Sequence, residues 1–219
     1  YIINIDNIEL SINFNKKKNI VISKSLCVYL EYMKKQIDNY SFSWDTYKKF
    51  TNPYEYIHTI IPNTKNSISK LKPVSRSFYK LIEIYNLIHI FEDNIDPIKS
   101  FHFAEGPGGF IEALHHLRNN ENDKYYGMTL LDNNNTNIPG WKKSKSFFAK
   151  HNNIIIESGI DKTGNLFNID NLWHCYNKYK GSISLVTADG GFDFSINFNK
   201  QEQLSTKLIF CQICYALAV

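Results

Sequence analysis

A glycine-rich segment is the part of this sequence that most clearly suggests chemistry. The run Glu-Gly-Pro-Gly-Gly at 105–109 follows a short apolar stretch and precedes residues with helical spacing, which predicts a turn between a strand and a helix. Glycines let a backbone approach a ligand closely, and a helix N-terminus offers unpaired N–H groups. The run lacks dinucleotide-site glycine spacing and the P-loop lysine, so a triphosphate is disfavoured. Glu105 would suit a cationic or amino-bearing ligand, with a plain turn as the alternative.

Two further segments carry charged side chains that could act with this turn. Asp189 follows the apolar residues 185–188 and precedes two glycines, and an acid at the carboxyl end of a central strand lies where open α/β sheets bind ligands. Lys80 lies in an amphipathic stretch that begins near Ser75. Taken singly, Asp189 is more typical of an ordinary turn and Lys80 of a solvated helix face.

The order of these segments resembles the FtsJ (RrmJ)-type RNA 2'-O-ribose methyltransferases. In that family a motif like "SRAxxKLxEI" carries a catalytic lysine, a "G-x-PGG" turn binds S-adenosylmethionine, and an aspartate ends the fourth strand. Here Lys80, residues 105–110 and Asp189 match these motifs. Residues 126–130, 159–165, 187–192 and 199–204 are similar to the branch that contains cap methyltransferases of eukaryotes and large DNA viruses. The resemblance covers about residues 73–219.

The resemblance implies an S-adenosylmethionine-dependent RNA 2'-O-ribose methyltransferase that acts on the mRNA cap and needs no metal. Its partners would be RNA, as capped mRNA, and other capping enzymes. Lys80 and Asp189 would be catalytic. The cofactor would contact residues of the turn, the ends of the second and fourth strands and a later loop: Glu105, Gly106, Pro107, Gly108, Gly109, Phe110, Thr129, Leu130, Asp161, Asn165 and Asp189.

Methyl transfer to a ribose hydroxyl needs the acceptor oxygen aligned behind the methyl group and its proton removed. A lysine serves as a base only when burial or a second cation lowers its pKa, whereas a carboxylate raises it. Asp189 should therefore mainly orient Lys80. A methyltransferase that acts on a base or a protein is a weaker alternative, because base methylation does not need such a lysine.

Two features depart from the family pattern. Its adenine-contacting aspartate is replaced by Asn165, with Asp161 four residues earlier, so either residue could face the adenine. The family's catalytic Lys-Asp-Lys-Glu set also has a second lysine and a glutamate on later strands, and Lys200 and Lys207 precede the place for that lysine. The alternative function is a non-catalytic cofactor- or RNA-binding module that partners other capping enzymes. We expect residues 1–219 alone to be inactive.

Candidate RNA-binding residues are basic. Lys142 and Lys143 adjoin Trp141, and such basic–aromatic clusters are typical of single-stranded RNA binding, although a solvated helix face is the alternative. Arg76, in the lysine motif, is the third candidate. The net charge of +4 is compatible with an anionic partner without requiring one.

Alternating patterns predict the elements that position these residues. Strands are expected at 100–104, 124–131, 153–157 and 182–188, and helices at 75–91, 110–117 and 201–218. They predict an α/β fold with a Rossmann-like parallel sheet that has helices on both faces. We expect this fold to be truncated after its fourth core strand and the helix that follows. Ser75 or Ser77 would cap the first helix, and one face of it would carry Leu81, Ile84, Leu87, Ile88 and Phe91. Residues 71–219 form the predicted methyltransferase domain.

Residues 1–70 are a predicted N-terminal extension of unknown role, with strand or hairpin at 2–14 and helix at 25–50. The 219 residues are 43% hydrophobic, which excludes wholesale disorder. The few cysteines favour a reducing, cytoplasmic compartment, which for a virus is the host cytoplasm or the virion. Cys211 and Cys214 lie in an apolar helix and are interpreted as core. No apolar run is long enough to predict a membrane partner.

Overall fold

The computed structural model describes residues 21–91, 95–132, 134–135, 138–191 and 201–219. The chain divides into two compact units, Tyr1–Pro53 and Tyr54–Val219. The predicted strand or hairpin at 2–14 lies outside the described residues. In the first unit, helix α1 (Lys24–Gln36), a 3₁₀ helix (Ile37–Ser43) and helix α2 (Trp44–Thr51) confirm the helical prediction for 25–50. A short 3₁₀ helix, Pro53–Tyr56, lies at the boundary.

The second unit contains a parallel sheet of four strands. These are β1 (Lys99–Phe103), β2 (Lys124–Met128), β3 (Ile154–Glu157) and β4 (Leu185–Ala188), in the spatial order β3-β2-β1-β4. The connecting helices are α3 (Ser77–Ile88), α4 (Gly109–Arg118), α5 (Lys145–Phe148), α6 (Ile169–Tyr179) and α7 (Gln201–Ala218). The predicted Rossmann-like α/β fold is confirmed, although β2 ends three residues before its predicted limit.

Hydrophobic side chains fill both faces of the sheet, as expected for parallel strands. On one face α3 and α4 contribute Phe78, Leu81, Ile111 and Leu114. On the other face Phe101 and Phe103 of β1 meet side chains of α6 and α7, among them Cys175, Tyr179 and Tyr215. Ser100 and His102 alternate with these phenylalanines and point to the face of α3.

Helix α3 differs from its prediction in two respects. Its N-cap is Arg76, which makes no side-chain capping bond, and the hydroxyls of Ser75 and Ser77 bond to each other. The helix ends at Ile88 because His89 takes a left-handed conformation. It buries Phe78, Leu81 and Tyr85. The prediction that Ile84, Leu87 and Ile88 lie on the buried face of this helix was wrong. They are exposed because they lie away from α4.

The helices α5 and α6 were not predicted. The N-terminal signal of α6 is Asn168, whose side chain accepts a hydrogen bond from the backbone N–H of Asp170 at 3.0 Å. Leu172, Cys175 and Tyr179 then recur with helical spacing and pack against the core. The signal lies in an asparagine-rich sequence, where a capping asparagine is hard to recognise.

No described helix has both the length and the apolar character needed to cross a membrane. Cys211 and Cys214 are free thiols on α7, and Cys211 packs against the core of that face. Within the described ranges, no group of three or more His, Cys, Asp or Glu side chains could hold a metal ion.

A buried ion pair fixes the starts of β1 and β2. The fully buried carboxylate of Asp123 accepts hydrogen bonds from Arg118, from the backbone N–H of Ile98 at 2.8 Å and from the Tyr125 hydroxyl at 2.8 Å. Burial raises the pKa of Asp123, but these bonds outweigh it and hold the pKa below its ordinary value.

Replacing Asp123 with asparagine should lower the free energy of unfolding by about 3–5 kcal/mol, because the buried guanidinium of Arg118 loses its counter-charge. Urea unfolding of Asp123→Asn and of the exposed-site control Asp132→Asn measures this. The wild type should also lose stability as the pH falls through the lowered pKa, whereas D123N should lack this contribution. Equal stability of both variants at neutral pH would contradict the structural role of the ion pair.

Candidate functional site

The carboxyl ends of the parallel strands meet at one edge of the sheet, and three predicted site residues come together there. Asp189 directly follows β4, and Glu105 follows β1 after one intervening residue. Helix α3 brings in Lys80, whose Nζ lies 3.2 Å from Oδ2 of Asp189. The side chain of Lys80 is 63% exposed and that of Asp189 is 26% exposed. The edge therefore carries an accessible amine held by a carboxylate.

Glu105 caps helix α4. Its Oε1 accepts hydrogen bonds from the backbone N–H groups of Phe110 at 2.7 Å and Ile111 at 3.3 Å, because the N-cap residue, Gly108, has no side chain to accept them. The expectation that these N–H groups face a ligand is therefore corrected: Glu105 already uses two of them. The Phe110 side chain is buried in the core.

The second carboxyl oxygen of Glu105 marks a place for a cation. Oε2 is buried and has no hydrogen-bond partner among the described residues. Burial, together with the negative charge of Asp189, raises the pKa of Glu105 to about 8, against the opposing effect of the two N–H groups. The carboxyl therefore holds a proton at neutral pH, and a positively charged group beside Oε2 would favour its ionised form.

The glycines of the turn contact protein atoms. A side chain at Gly106 would meet Oγ1 of Thr129 at 2.9 Å and the carbonyl oxygen of Gly140 at 2.8 Å. At Gly109 it would overlap the hydroxyls of Ser75 and Ser77. Gly108 has a φ of 109°, which favours glycine. These contacts let the turn pack against the end of β2 and the start of α3, and the expected cofactor contacts of Gly106, Gly108 and Gly109 stay predictions.

The loop after β3 is organised by Asp161. Its carboxylate accepts four hydrogen bonds, two from Thr163 (2.9 and 2.8 Å), one from Asn168 (2.7 Å) and one from Asn171 (2.9 Å). The bonds from Thr163 and Asn168 are the main cause of a lowered pKa of Asp161. The Asn165 side chain accepts one bond from the Phe167 N–H at 2.9 Å. Within the described part of the chain, its side-chain nitrogen makes no hydrogen bond.

This loop is joined to the end of β2. The N–H of Leu131 donates to the carbonyl of Thr163 at 2.7 Å. Gly164, at a φ of 64°, lies directly against the carbonyl oxygen of the buried Thr129. Leu130 between them is 41% exposed. The predicted cofactor residues 129, 130 and 165 therefore lie at one junction.

Replacing Gly164 with alanine should open this junction, because the added Cβ would overlap the Thr129 carbonyl oxygen. The matched control is Gly181→Ala, at a φ of 66° with no atom within 4 Å of the added Cβ. G181A should cost about 1 kcal/mol, the penalty for its backbone conformation alone. G164A should cost about 2–4 kcal/mol, from conformation and overlap together. Urea unfolding compares them, and equal losses would contradict the close contact.

The three predicted RNA-binding residues are exposed. Arg76 lies one helical turn before Lys80 and places Nη1 3.3 Å from Oε2 of Glu55. Lys142 and Lys143 precede α5. Trp141 packs against the core, with its ring 5.3 Å from that of Phe148, so much of its surface is already covered. The basic residues of the cluster are accessible, but its aromatic member is mainly a packing residue.

Two buried polar residues at this edge were missed as site residues. His102 bonds to the hydroxyls of Ser100 at 2.8 Å and Thr187 at 2.7 Å, and burial lowers its pKa to about 3. As a neutral ring it therefore bridges β1 to Thr187 of β4, which lies two residues before Asp189. Gln212 on α7 is the second, and its only sequence signal is an amide within an apolar helix.

Comparisons with known proteins identify a family for most of this chain. The family model described as FtsJ-like methyltransferase matches residues 73–219. The cap-specific mRNA (nucleoside-2'-O-)-methyltransferase 2 of Drosophila melanogaster is 29% identical over 56% of this chain and 19% of its own length. Methyltransferase 1 of Mus musculus is 31% identical over 58% of the chain and 16% of its own length. An uncharacterized protein of Acanthamoeba polyphaga mimivirus is 29% identical over 71% of the chain and 21% of its own length.

These matches cover only about a fifth of the relatives' own lengths. The family match is broader in this chain, since it includes α3 with Lys80, the glycine-rich turn and β4 with Asp189. On this match and on its parallel sheet, the chain belongs to the FtsJ-like methyltransferases.

Proposed function

We propose that this chain binds S-adenosylmethionine at the carboxyl edge of its sheet and that Lys80 and Asp189 serve 2'-O-ribose methylation of RNA, at the cap of mRNA. The observation that carries the proposal is the 3.2 Å ion pair between Lys80 and Asp189, beside the buried carboxyl of Glu105. The similarity to proteins named cap-specific mRNA 2'-O-methyltransferases supports the choice of substrate.

The residues at the edge fit this cofactor. FtsJ-like methyltransferases generally use S-adenosylmethionine, which supplies an electrophilic methyl group on a positively charged sulfur. Glu105 and Asp189 would hold its positive groups, and the partnerless Oε2 of Glu105 offers an acceptor for its amino group. Thr129 and Leu130 would line the ribose. Asn165 would contact the adenine, because the carboxylate of Asp161 is used within its own loop.

Lys80 is suited to receive the proton of the ribose hydroxyl. Asp189 accepts one hydrogen bond from the amine and so fixes the position of Nζ. The amine stays open to solvent on its other sides. An RNA strand laid over the edge would exclude that water, and burial beside a cation favours the neutral form of a lysine amine. Asp189 therefore positions the base and does not itself take the proton.

RNA would reach the edge across the exposed basic residues. Arg76 is one helical turn from Lys80 on α3, and Lys142 and Lys143 are exposed before α5. These side chains would contact phosphates, which position a strand without reading its sequence. We further propose that other capping enzymes are partners and that the protein acts in the cytoplasm, which for a virus is the host cytoplasm or the virion.

Binding and transfer together test the proposal. Calorimetry of the whole native protein should show binding of S-adenosylmethionine, and labelled methyl groups should enter capped RNA in preference to uncapped RNA of the same sequence. A folded protein that fails to bind the cofactor would refute the proposal. Cofactor binding without transfer to either RNA would favour the non-catalytic binding module, and equal transfer to both would refute cap specificity.

A further inference from the structure

Gln212 is a buried polar residue to which the proposed chemistry assigns no part. It lies on α7, which packs against β1 and β4 on the face that holds Phe103 and Tyr215. Its side chain is 7% exposed, and Nε2 is buried with no hydrogen-bond partner in the described part of the chain. A buried amide donor without an acceptor is unfavourable, so a purely structural site would favour an apolar residue there.

The amide lies against Gly190, the residue that follows Asp189. A Cβ on Gly190 would overlap both Nε2 of Gln212 and Cβ of Ala104. Gly190 follows Asp189, and Ala104 precedes Glu105. The amide therefore contacts Gly190, which also packs against Ala104, at the point where the ends of β1 and β4 come together.

The backbone of this junction is strained. Ala104 has a φ of 51°, in the left-handed region that residues other than glycine rarely adopt. This conformation is unfavourable for alanine and persists only where surrounding contacts impose it. Gly190, which contacts Gln212, packs against Ala104. Three unfavourable or restrictive features thus coincide at this junction: an amide without a partner, a strained alanine and a glycine with no room for a side chain. The alanine and the glycine are each one residue from an acid of the site, Glu105 and Asp189 respectively.

We infer that Gln212 is a positioning residue for methyl transfer, which holds the ends of β1 and β4 so that Asp189 meets Lys80. This rests on the proposed function. A carboxamide suits the task because it fills the junction without adding a charge to it. Leucine would fill the space without the amide.

The matched variants are Gln212→Leu and Leu208→Met. Leu208 is the control, since it lies one turn earlier on α7, is 8% exposed and also contacts Gly190. In the whole native protein, Q212L should fold as stably as the wild type, bind S-adenosylmethionine within about twofold, and lose about tenfold or more in kcat, because positioning errors act on the chemical step. L208M should keep kcat within about twofold, as a volume-conserving change.

A loss in kcat without a matching loss in cofactor affinity is a result that weakened packing alone would not produce. If Q212L keeps the kcat of the wild type, the positioning role is refuted.

A measurement without turnover separates this inference from the proposed function. The ¹³C resonance of Lys80 Cε, followed by NMR, should move in Q212L and stay in place in L208M. Movement in Q212L alone supports the positioning role even if the wild type methylates no RNA, an outcome that would refute only the proposed function. Identical Lys80 resonances in wild type and Q212L would overturn the inference.

Discussion

Replacing Lys80 with alanine should lower ribose methylation by about 10²–10⁴-fold, the usual contribution of a positioned acid–base group. Affinity for S-adenosylmethionine should stay within about twofold, because the proposed cofactor contacts follow the strands of the sheet and do not include Lys80, which approaches from α3. Single-turnover transfer to capped RNA measures the first quantity and calorimetry the second. The exposed loop residue Lys65 provides the control Lys65→Ala, which should leave both unchanged.

Two further variants separate the roles within the pair. Lys80→Arg keeps the positive charge but cannot release a proton near neutral pH, so it should be nearly as inactive as K80A. Asp189→Asn keeps the shape of the carboxylate but removes the charge that holds Nζ at 3.2 Å, so it should lower kcat less than K80A does. Undiminished turnover in K80A would remove Lys80 from the mechanism, and full activity of K80R would show that only its charge matters.

Replacing Glu105 with glutamine should change how stability depends on pH. The pKa of Glu105 is raised from 4.5 to about 8 by burial and by Asp189, so between these values the folded protein holds a proton that the unfolded chain has lost. The wild type should therefore lose stability as the pH rises through this window, by up to about 1.4 kcal/mol per pH unit from this group. The glutamine of E105Q does not titrate, so this variant should not lose stability as the pH rises through the window.

Urea unfolding at pH 5, 6, 7 and 8 measures the difference, with the exposed Glu83→Gln on α3 as the control. Cofactor binding gives a second readout, because a cation beside Glu105 would favour its ionised form and expel the proton. Calorimetry in two buffers of different ionisation enthalpy should show proton release near pH 7 in the wild type and none in E105Q. Parallel stability curves for wild type and E105Q would contradict the buried, protonated carboxyl.

Sequence patterns were enough to predict that the main site residues lie at one edge of the sheet. Strands with parallel connections place their carboxyl ends together, so Glu105 and Asp189 were expected to be neighbours, and the family resemblance added Lys80. The structure brings these three together, although their catalytic and cofactor roles stay predictions. The start and end of α7 were also predicted correctly, because residues 208–218 form a long run that is apolar apart from Gln212.

The sequence could not show what each glycine contacts. Gly109 faces Ser75 and Ser77, and Gly164 faces Thr129, in each case across a fold that local spacing does not describe. The capping of α4 by Glu105 escaped prediction for the same reason, since the capping side chain comes three residues before the N-cap. The burial of Gln212 likewise depends on β1 and β4 meeting above it.

The position of the transferred methyl group tests the central claim most directly. The whole native protein is incubated with labelled S-adenosylmethionine and capped RNA, the RNA is digested to nucleosides, and mass spectrometry locates the label. Matched RNA with a 2'-deoxyribose at the cap-proximal nucleotide is the control. The label should appear on the 2'-oxygen of that nucleotide and vanish with the deoxy control. A label on a base, or one that persists on the deoxy RNA, would contradict ribose methylation by the Lys80–Asp189 pair.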